Sequence, residues 1–241
     1  MNSAINKRLP LYLTPEHPCS YYTDRQARTV FGDPRIAPDV ELQSRLAQQG
    51  FRRSGSYIYR PECNGCRACI AARVDVAGFQ PNRSQRRNLR DNAVLEVSIQ
   101  RSWCTDSLLA LYNRYQSHRH PDGQMLAPGE TQFREFLLSE WSDTYFLEIR
   151  FGTELLGISV FDRLEDGVSA VYTFYEPDAE ARGLGTFAIL KLIELARSEK
   201  SSRVYLGYWL PEHPKMDYKR RFRPLEILVH GEWRRLQFKE A

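Results

Sequence analysis

Apolar residues recur along the 241-residue chain with two periods, and the switches between them map its elements. In 39–49 (DVELQSRLAQQ), Val40, Leu42, Leu46 and Ala47 sit at helical spacing and Gly50 supplies a stop, which predicts a short helix. SYIY at 56–59 and AARVDV at 71–76 read as strands. Beyond residue 93 the pattern strengthens. VLEVSI at 94–99 alternates like a strand. Residues 105–119 predict a helix capped by Thr105 or Asp106, with Leu108, Leu111, Tyr112 and Tyr115 on one face. A second helix is predicted at 130–140. Strands at 145–151, 155–161 and 168–175 are separated by Gly152 and by Glu165-Asp166-Gly167, so an antiparallel meander is expected. Residues 184–197 place Ile189, Leu192, Ile193 and Ala196 on one helical stripe. Strands at 204–209, 225–229 and 233–238 close the pattern.

This order predicts an α+β protein. Residues 94–241 follow the element order of an N-acetyltransferase-like (GNAT-like) domain with a mixed, mainly antiparallel sheet. Residues 1–80 read as a small α+β domain containing most of the cysteines, and 81–93 as a basic connecting segment.

Composition adds one thing the pattern does not show. The net charge is only +4, but it is unevenly spread. Arg83–Arg90 (RSQRRNLR) holds four arginines and no acid, and Lys215–Arg223 (KMDYKRRFR) holds five bases against Asp217. Two basic patches on a mildly acidic body point to a polyanionic partner. In the first patch Arg83, Arg86, Arg87 and Arg90 fall on one face if the segment is helical. In the second, Tyr218 and Phe222 interleave with Lys215, Lys219, Arg220 and Arg223, a pattern suited to phosphates and bases together. No run approaches the ~20 apolar residues of a membrane helix, and the first 18 residues lack a secretory core. A cytoplasmic protein with reduced thiols is therefore expected.

Two further features could carry chemistry. Arg182-Gly183-Leu184-Gly185-Thr186 lies between a predicted strand and helix. Two glycines allow close backbone approach of a ligand, and the amides at the helix start can hold an anion or a polarised oxygen. Tyr172 and Tyr175 directly precede it. Cys63, Cys66 and Cys69 form overlapping CxxC pairs, with Cys19 or His17 available as a fourth ligand. This spacing suits zinc or an iron–sulfur cluster, and equally a metal-free knot of thiols. No Ser-His-Asp or Cys-His pair, phosphate-binding P-loop or dinucleotide fingerprint is present.

The motifs together resemble a known family. They are Cys19-Ser20-Tyr21-Tyr22, Asp24-Arg25-Gln26-Ala27-Arg28 and Gly50-Phe51-Arg52-Arg53-Ser54-Gly55. Tyr59-Arg60-Pro61, the Cys63–Cys69 run and Ser84-Gln85-Arg86-Arg87 follow. Then come Tyr172-Thr173-Phe174-Tyr175, Gly183-Leu184-Gly185-Thr186, Tyr208-Trp209, Lys215-Met216, Tyr218-Lys219 and Phe222-Arg223-Pro224-Leu225-Glu226. Across essentially the whole chain this resembles the leucyl branch of the arginyl-tRNA–protein transferase family. Eukaryotic relatives carry a second Cys three residues after the first, where this chain has Tyr22, so their cluster site does not carry over whole.

The resemblance implies transfer of leucine from leucyl-tRNA to the N-terminal α-amine of proteins beginning with Asp or Glu, which marks them for degradation. An aminoacyl ester is already activated, so no protein nucleophile is needed; the enzyme must orient two substrates, help remove a proton and stabilise an oxyanion. On this reading Gly183–Thr186 and Arg182 serve the aminoacyl end, and Arg83, Arg86, Arg87, Arg90, Lys215, Lys219 and Arg220 hold tRNA phosphates. Arg73 and Arg223 pair with the acceptor carboxylate, and Tyr172, Tyr175 and Tyr218 orient it or relay a proton. No cofactor is required, and metal at Cys19, Cys63, Cys66 and Cys69 is left open. Three alternatives remain at this point: arginyl-tRNA as donor, coenzyme-A-dependent acetylation, and a non-catalytic RNA-binding or metal-sensing protein.

Overall fold

A computed structural model describes residues 9–119 and 129–237. The first part is built from short elements: strands β1 (Leu11–Leu13), β2 (His17–Pro18), β3 (Gln26–Ala27) and β4 (Thr29–Gly32), helix α1 (Val40–Gln48), and strands β5 (Arg52–Ser54) and β6 (Tyr57–Pro61). Strands β1-β4-β6-β5 form a small sheet, and β2 pairs with β3. The Asp39 side chain caps α1 by accepting from Leu42 N at 2.9 Å. Leu42, Leu46, Phe51 and Ile58 bury the face between α1 and this sheet.

Strand β7 (Ile70–Asp75) leaves the small sheet and enters a much larger one. Helix α2 (Arg83–Asp91), strand β8 (Glu96–Arg101), helices α3 (Asp106–Arg119) and α4 (Glu130–Leu137), and strands β9 (Thr144–Phe151), β10 (Glu154–Leu164) and β11 (Gly167–Tyr175) follow. A 3₁₀ turn at Pro177–Arg182 leads into α5 (Leu184–Ser198), then β12 (Arg203–Trp209), a 3₁₀ turn at Asp217–Arg221, β13 (Leu225–Val229) and β14 (Glu232–Arg235). The large sheet runs β14-β13-β7-β12-β11-β10-β9-β8. Its β11–β12 pair is parallel and the other pairs are antiparallel. The meander 144–175 is as expected from its turns. The first strand of the second half starts at Glu96 rather than Val94, and Phe238 of the last expected strand lies outside the described residues, as do residues 1–8 of the chain start.

The expected boundary at residue 80 groups β7 with the small domain. The fold puts it between β12 and β13 instead, so 1–80 does not close on its own sheet. Ala72 and Val74 are almost wholly buried there, which explains the apolar alternation that made the segment look like an ordinary strand. The two faces of the large sheet are covered by different helices. Phe187, Leu190, Leu192 and Ile193 of α5 pack on Val74, Leu147, Ile149, Phe161 and Val168. Leu108, Leu111 and Tyr112 of α3 with Phe133 and Leu137 of α4 pack on Phe146, Ile158, Val160 and Phe174. A buried Arg53–Asp162 ion pair, 2.7 Å between Nε and Oδ2, fixes the small sheet to β10. No described helix is long and apolar enough to cross a membrane.

Candidate functional site

The sheet is interrupted at its centre. β11 and β12 pair only from Gly167 to Ser169 against Arg203 to Tyr205, and beyond Ser169 and Tyr205 no rung joins them. A register shift between Val160 and Phe161 accompanies the split on the β10 side. The backbone of β11 past Ser169 therefore has one edge without a strand partner. Arg52 of the small sheet fills part of that edge: its Nη2 donates to Ala170 O at 2.9 Å and to Val171 O at 3.3 Å. Gly207 makes room for it. Its φ is +74°, and a Cβ there would stand 0.9 Å from Arg52 Nη1. The Tyr208 hydroxyl donates to Gly50 O and Tyr59 O, closing the seam from the small sheet.

Helix α5 begins where β11 opens. Gly183 is left-handed (φ 63°), which turns the chain sharply from the 3₁₀ segment into the helix. Thr186 N and Phe187 N both donate to Gly183 O, and no side chain caps the helix. The amides of Leu184 and Gly185 thus have no intrahelical acceptor. Leu184 itself is fully buried, so only its backbone can meet a ligand. Tyr175 stands beside this turn; a Cβ on Gly185 would lie 3.9 Å from its ring. Tyr115 of α3 packs edge-on to Tyr175 with centroids 5.0 Å apart. Burial raises the Tyr115 phenol to about 12, and raises Tyr175 and Tyr218 as well. These phenols stay protonated at neutral pH, so each keeps an O–H to offer a ligand. Tyr172 lies deeper, among Tyr112, Phe136 and Phe174, and accepts from Gln116 Nε2 at 3.3 Å.

The connecting segment 81–93 is largely a helix, and it organises the surroundings. Asn82 and Gln85 form a reciprocal capping box at the start of α2. Gln85 Nε2 then donates to Arg221 O at 3.1 Å. Further along, Asn88 and Asn92 both donate to Arg182 O at 2.9 Å. One helix thereby ties the second basic segment to the turn before α5. Arg83, Arg86, Arg87 and Arg90 all project to solvent from it. The two basic patches, more than a hundred residues apart in the chain, adjoin in space.

Residues 17–87 match the arginine-tRNA-protein transferase N terminus, and residues 107–229 match the C terminus of the same family. The chain belongs to the arginine-tRNA-protein transferase family. An aspartate/glutamate leucyltransferase from Stenotrophomonas maltophilia (strain K279a) is 50% identical over 93% of this chain and 92% of its own. One from Teredinibacter turnerae is 49% identical over 94% and 93%. Among solved structures, the C-terminal domain of a lysylphosphatidylglycerol synthetase from Agrobacterium fabrum is similar at 13% identity and a TM-score of 0.47, covering 69% of this chain and 51% of that one.

Within this transferase several expected residues occupy different settings. Arg73, expected at the acceptor, is committed elsewhere: its Nε donates to Glu226 at 2.7 Å, and its guanidinium lies over Trp233, 4.1 Å from the centroid. Lys219, expected on a phosphate, is 4% exposed and its Nζ donates to Tyr208 O. The 3₁₀ turn at 217–221 directs it inward while Arg220, paired with Asp217 at 3.0 Å, stays outside. Lys215 and Arg223 are exposed. Arg182 lies over Phe151 at 5.8 Å.

The thiols do not fit a metal. Among the described residues no group of three or more His, Cys, Asp or Glu side chains is placed to hold one. The Cys63 thiol donates to Arg28 O at 3.7 Å, and the Cys66 sulfur accepts from Arg25 Nη1 at 3.6 Å. Burial, and then the nearby Cys19, Cys63 and Cys66 sulfurs, push the Cys69 thiol up to about 12. The open zinc or iron–sulfur assignment at Cys19, Cys63, Cys66 and Cys69 therefore finds no support. The four thiols are neighbours in space, but Cys63 and Cys66 spend their sulfurs on Arg28 O and Arg25. Grooves of about 460 and 530 Å³ flank this loop, apart from the α5 turn. Residues that sequence patterning overlooked are Arg52, Tyr115, Asn88 and Asn92. The Gly50–Gly55 motif contained Arg52 but gave no reason to prefer it over Arg53.

Proposed function

We propose that this transferase moves leucine from leucyl-tRNA to the α-amine of proteins whose first residue is Asp or Glu. The observation that carries the reading is the three-way junction at α2. That helix holds the α5 turn through Asn88 and Asn92, anchors the second basic segment through Gln85, and turns four arginines to solvent. An RNA backbone lying on those arginines brings its acylated 3′ end toward the open amides of Leu184 and Gly185. The relatives' names supply leucine as the donated group and Asp or Glu as the acceptor. The second half reads as acetyltransferase-like, supported by the parallel β11–β12 pair that splits beside an uncapped helix start.

With an ordinary pKa of about 7.7–8.0, roughly a tenth to a sixth of the acceptor amine is already deprotonated at pH 7. Its nitrogen attacks the ester carbonyl, the bond to the ribose oxygen breaks, and the proton lost from nitrogen is balanced by the one the ribose oxygen takes up as its hydroxyl. The α5 amides meet the developing oxyanion, and the neutral Tyr175 and Tyr218 phenols donate to it or to the departing ribose oxygen. No step needs a bound metal. A leucyl-tRNA donor is made in the cytoplasm, which supports a cytoplasmic enzyme. To test the reading, purified protein is incubated with labelled leucyl-tRNA and peptides beginning with Asp, Glu or Ala. Label on the Asp and Glu peptides alone supports it; label from arginyl-tRNA instead, or acetylation from acetyl-CoA with no leucine transfer, refutes it.

A further inference from the structure

Two cations meet in the seam between β11 and β12, and neither has an acid for a partner. Arg52 pairs with no carboxylate among the described residues; only its Nη2 is bonded, to two backbone carbonyls, while Nε and Nη1 make no hydrogen bond there. Lys219 is buried and bonded only to the Tyr208 carbonyl. Elsewhere the protein treats enclosed cations differently: Arg53 has Asp162, Arg73 has Glu226, and Arg203 has both Asp75 and Glu226. A buried lysine beside a half-buried guanidinium, with no counter-charge, is costly to keep charged unless an anion joins them. Arg52 also pushes the Lys219 pKa down, in addition to burial, and one negative group would relieve both.

We infer that Arg52, with Lys219 beside it, binds the side-chain carboxylate of the acceptor's first residue. This rests on the reaction proposed above and names the residues that select its acceptor. Position supports it. Arg52 and Lys219 both reach Tyr208 in the seam, Tyr175 stands at the α5 turn, and Tyr218 is within electrostatic reach of both Arg52 and Tyr175. An acceptor whose α-amine faces the ester at that turn carries its carboxylate only three or four bonds further, toward the seam. A tRNA phosphate is a poorer occupant, because the Ala170 and Val171 carbonyls already crowd the Arg52 guanidinium, whereas the α2 arginines are open. A planar carboxylate matches a guanidinium with donors to spare.

Calorimetric binding of peptides beginning with Asp, Glu, Asn and Gln tests the site, with leucine transfer to the same peptides measured separately. The wild type is expected to bind Asp and Glu peptides at least tenfold more tightly than the amides. Arg52→Gln should weaken the acidic peptides roughly 30-fold or more and abolish the preference. Lys219→Met should reduce it, and Arg52→Lys should keep part of it; these two carry the test if Arg52→Gln does not fold. An undiminished preference in the folded variants overturns the inference. So does equal binding of Asp and Asn peptides by the wild type. A raised KM for leucyl-tRNA in Arg52→Gln with acceptor preference intact assigns the seam to RNA instead and also overturns it. Intact acidic preference without leucine transfer leaves the site supported and removes only the proposed reaction.

Discussion

Removing the Asp162 carboxylate is expected to unseat the small sheet. Asp162 is inaccessible to solvent and accepts four hydrogen bonds: from Arg53 Nε and Nη2 and Thr144 Oγ1, each at 2.7 Å, and from Gln43 Nε2 at 3.1 Å. Arg53 also donates to Gly55 O and Leu137 O, so it alone links β5, β10 and the end of α4. Asp162→Ala leaves a guanidinium buried among carbonyls with no negative charge. Breaking such a pair from one side costs about 3–5 kcal/mol. At roughly 2–4 °C per kcal/mol for a chain of this size, Tm should fall by about 6–20 °C. Replacing both partners, Arg53→Met with Asp162→Leu, should recover most of the loss, because the pair's attraction is offset by the cost of burying it. Thermal and urea unfolding, followed by circular dichroism, of the wild type, Arg53→Met, Asp162→Leu and the double variant gives the four corners of a double-mutant cycle. A loss under about 1 kcal/mol for Asp162→Ala, or a double variant as unstable as the sum of the singles, would refute the anchor. Arg52 precedes Arg53 on β5, so Asp162→Ala should also blunt acceptor preference while leucyl-tRNA affinity holds.

Three more outcomes are expected. Arg86→Ala with Arg87→Ala should weaken tRNA binding and flatten the slope of log affinity against log salt by about 2; an unchanged slope in filter binding would remove α2 from the RNA surface. Gly207→Ala should displace Arg52 and strain a left-handed residue by about 1–3 kcal/mol, lowering the Asp-over-Asn preference as well as stability; a stable variant with full preference would contradict the seam geometry. Lys219→Met should stabilise the fold most at neutral pH and less as pH rises toward the free-lysine range. Burial and Arg52 hold the folded pKa down, so the folded form binds fewer protons than the unfolded one in that interval and wild-type stability climbs through it. Urea midpoints for both proteins across pH 7–10 that stay parallel would show that Lys219 is not strained.

What the sequence makes legible here is what local period encodes. The meander and α5 are long, apolar on the correct face and separated by turns, so Gly152 and Glu165-Asp166-Gly167 were enough to locate them. Strand β7 has the same clear alternation, yet nothing in it says that its partners are β12 and β13, more than a hundred residues onward. β5 is harder still: Arg-Arg-Ser has no apolar alternation, because its side chains meet the large sheet through charge.

The same limit explains the site. The two basic patches were visible as composition, but their adjacency depends on one neutral residue, Gln85, reaching the Arg221 carbonyl. Within the second patch, charge counting treats Lys215, Lys219 and Arg220 alike, whereas the 3₁₀ turn sends one inward and leaves the others out. Arg52 and Arg53 are neighbours of identical chemistry, and the sheet gives Arg53 a carboxylate and Arg52 only carbonyls. Their difference lies in the far strand each one meets: β10 offers Asp162, while β11, having lost β12, offers bare backbone. Selectivity for an acidic acceptor follows from that split, because a sheet that stayed paired would leave Arg52 no place in its centre.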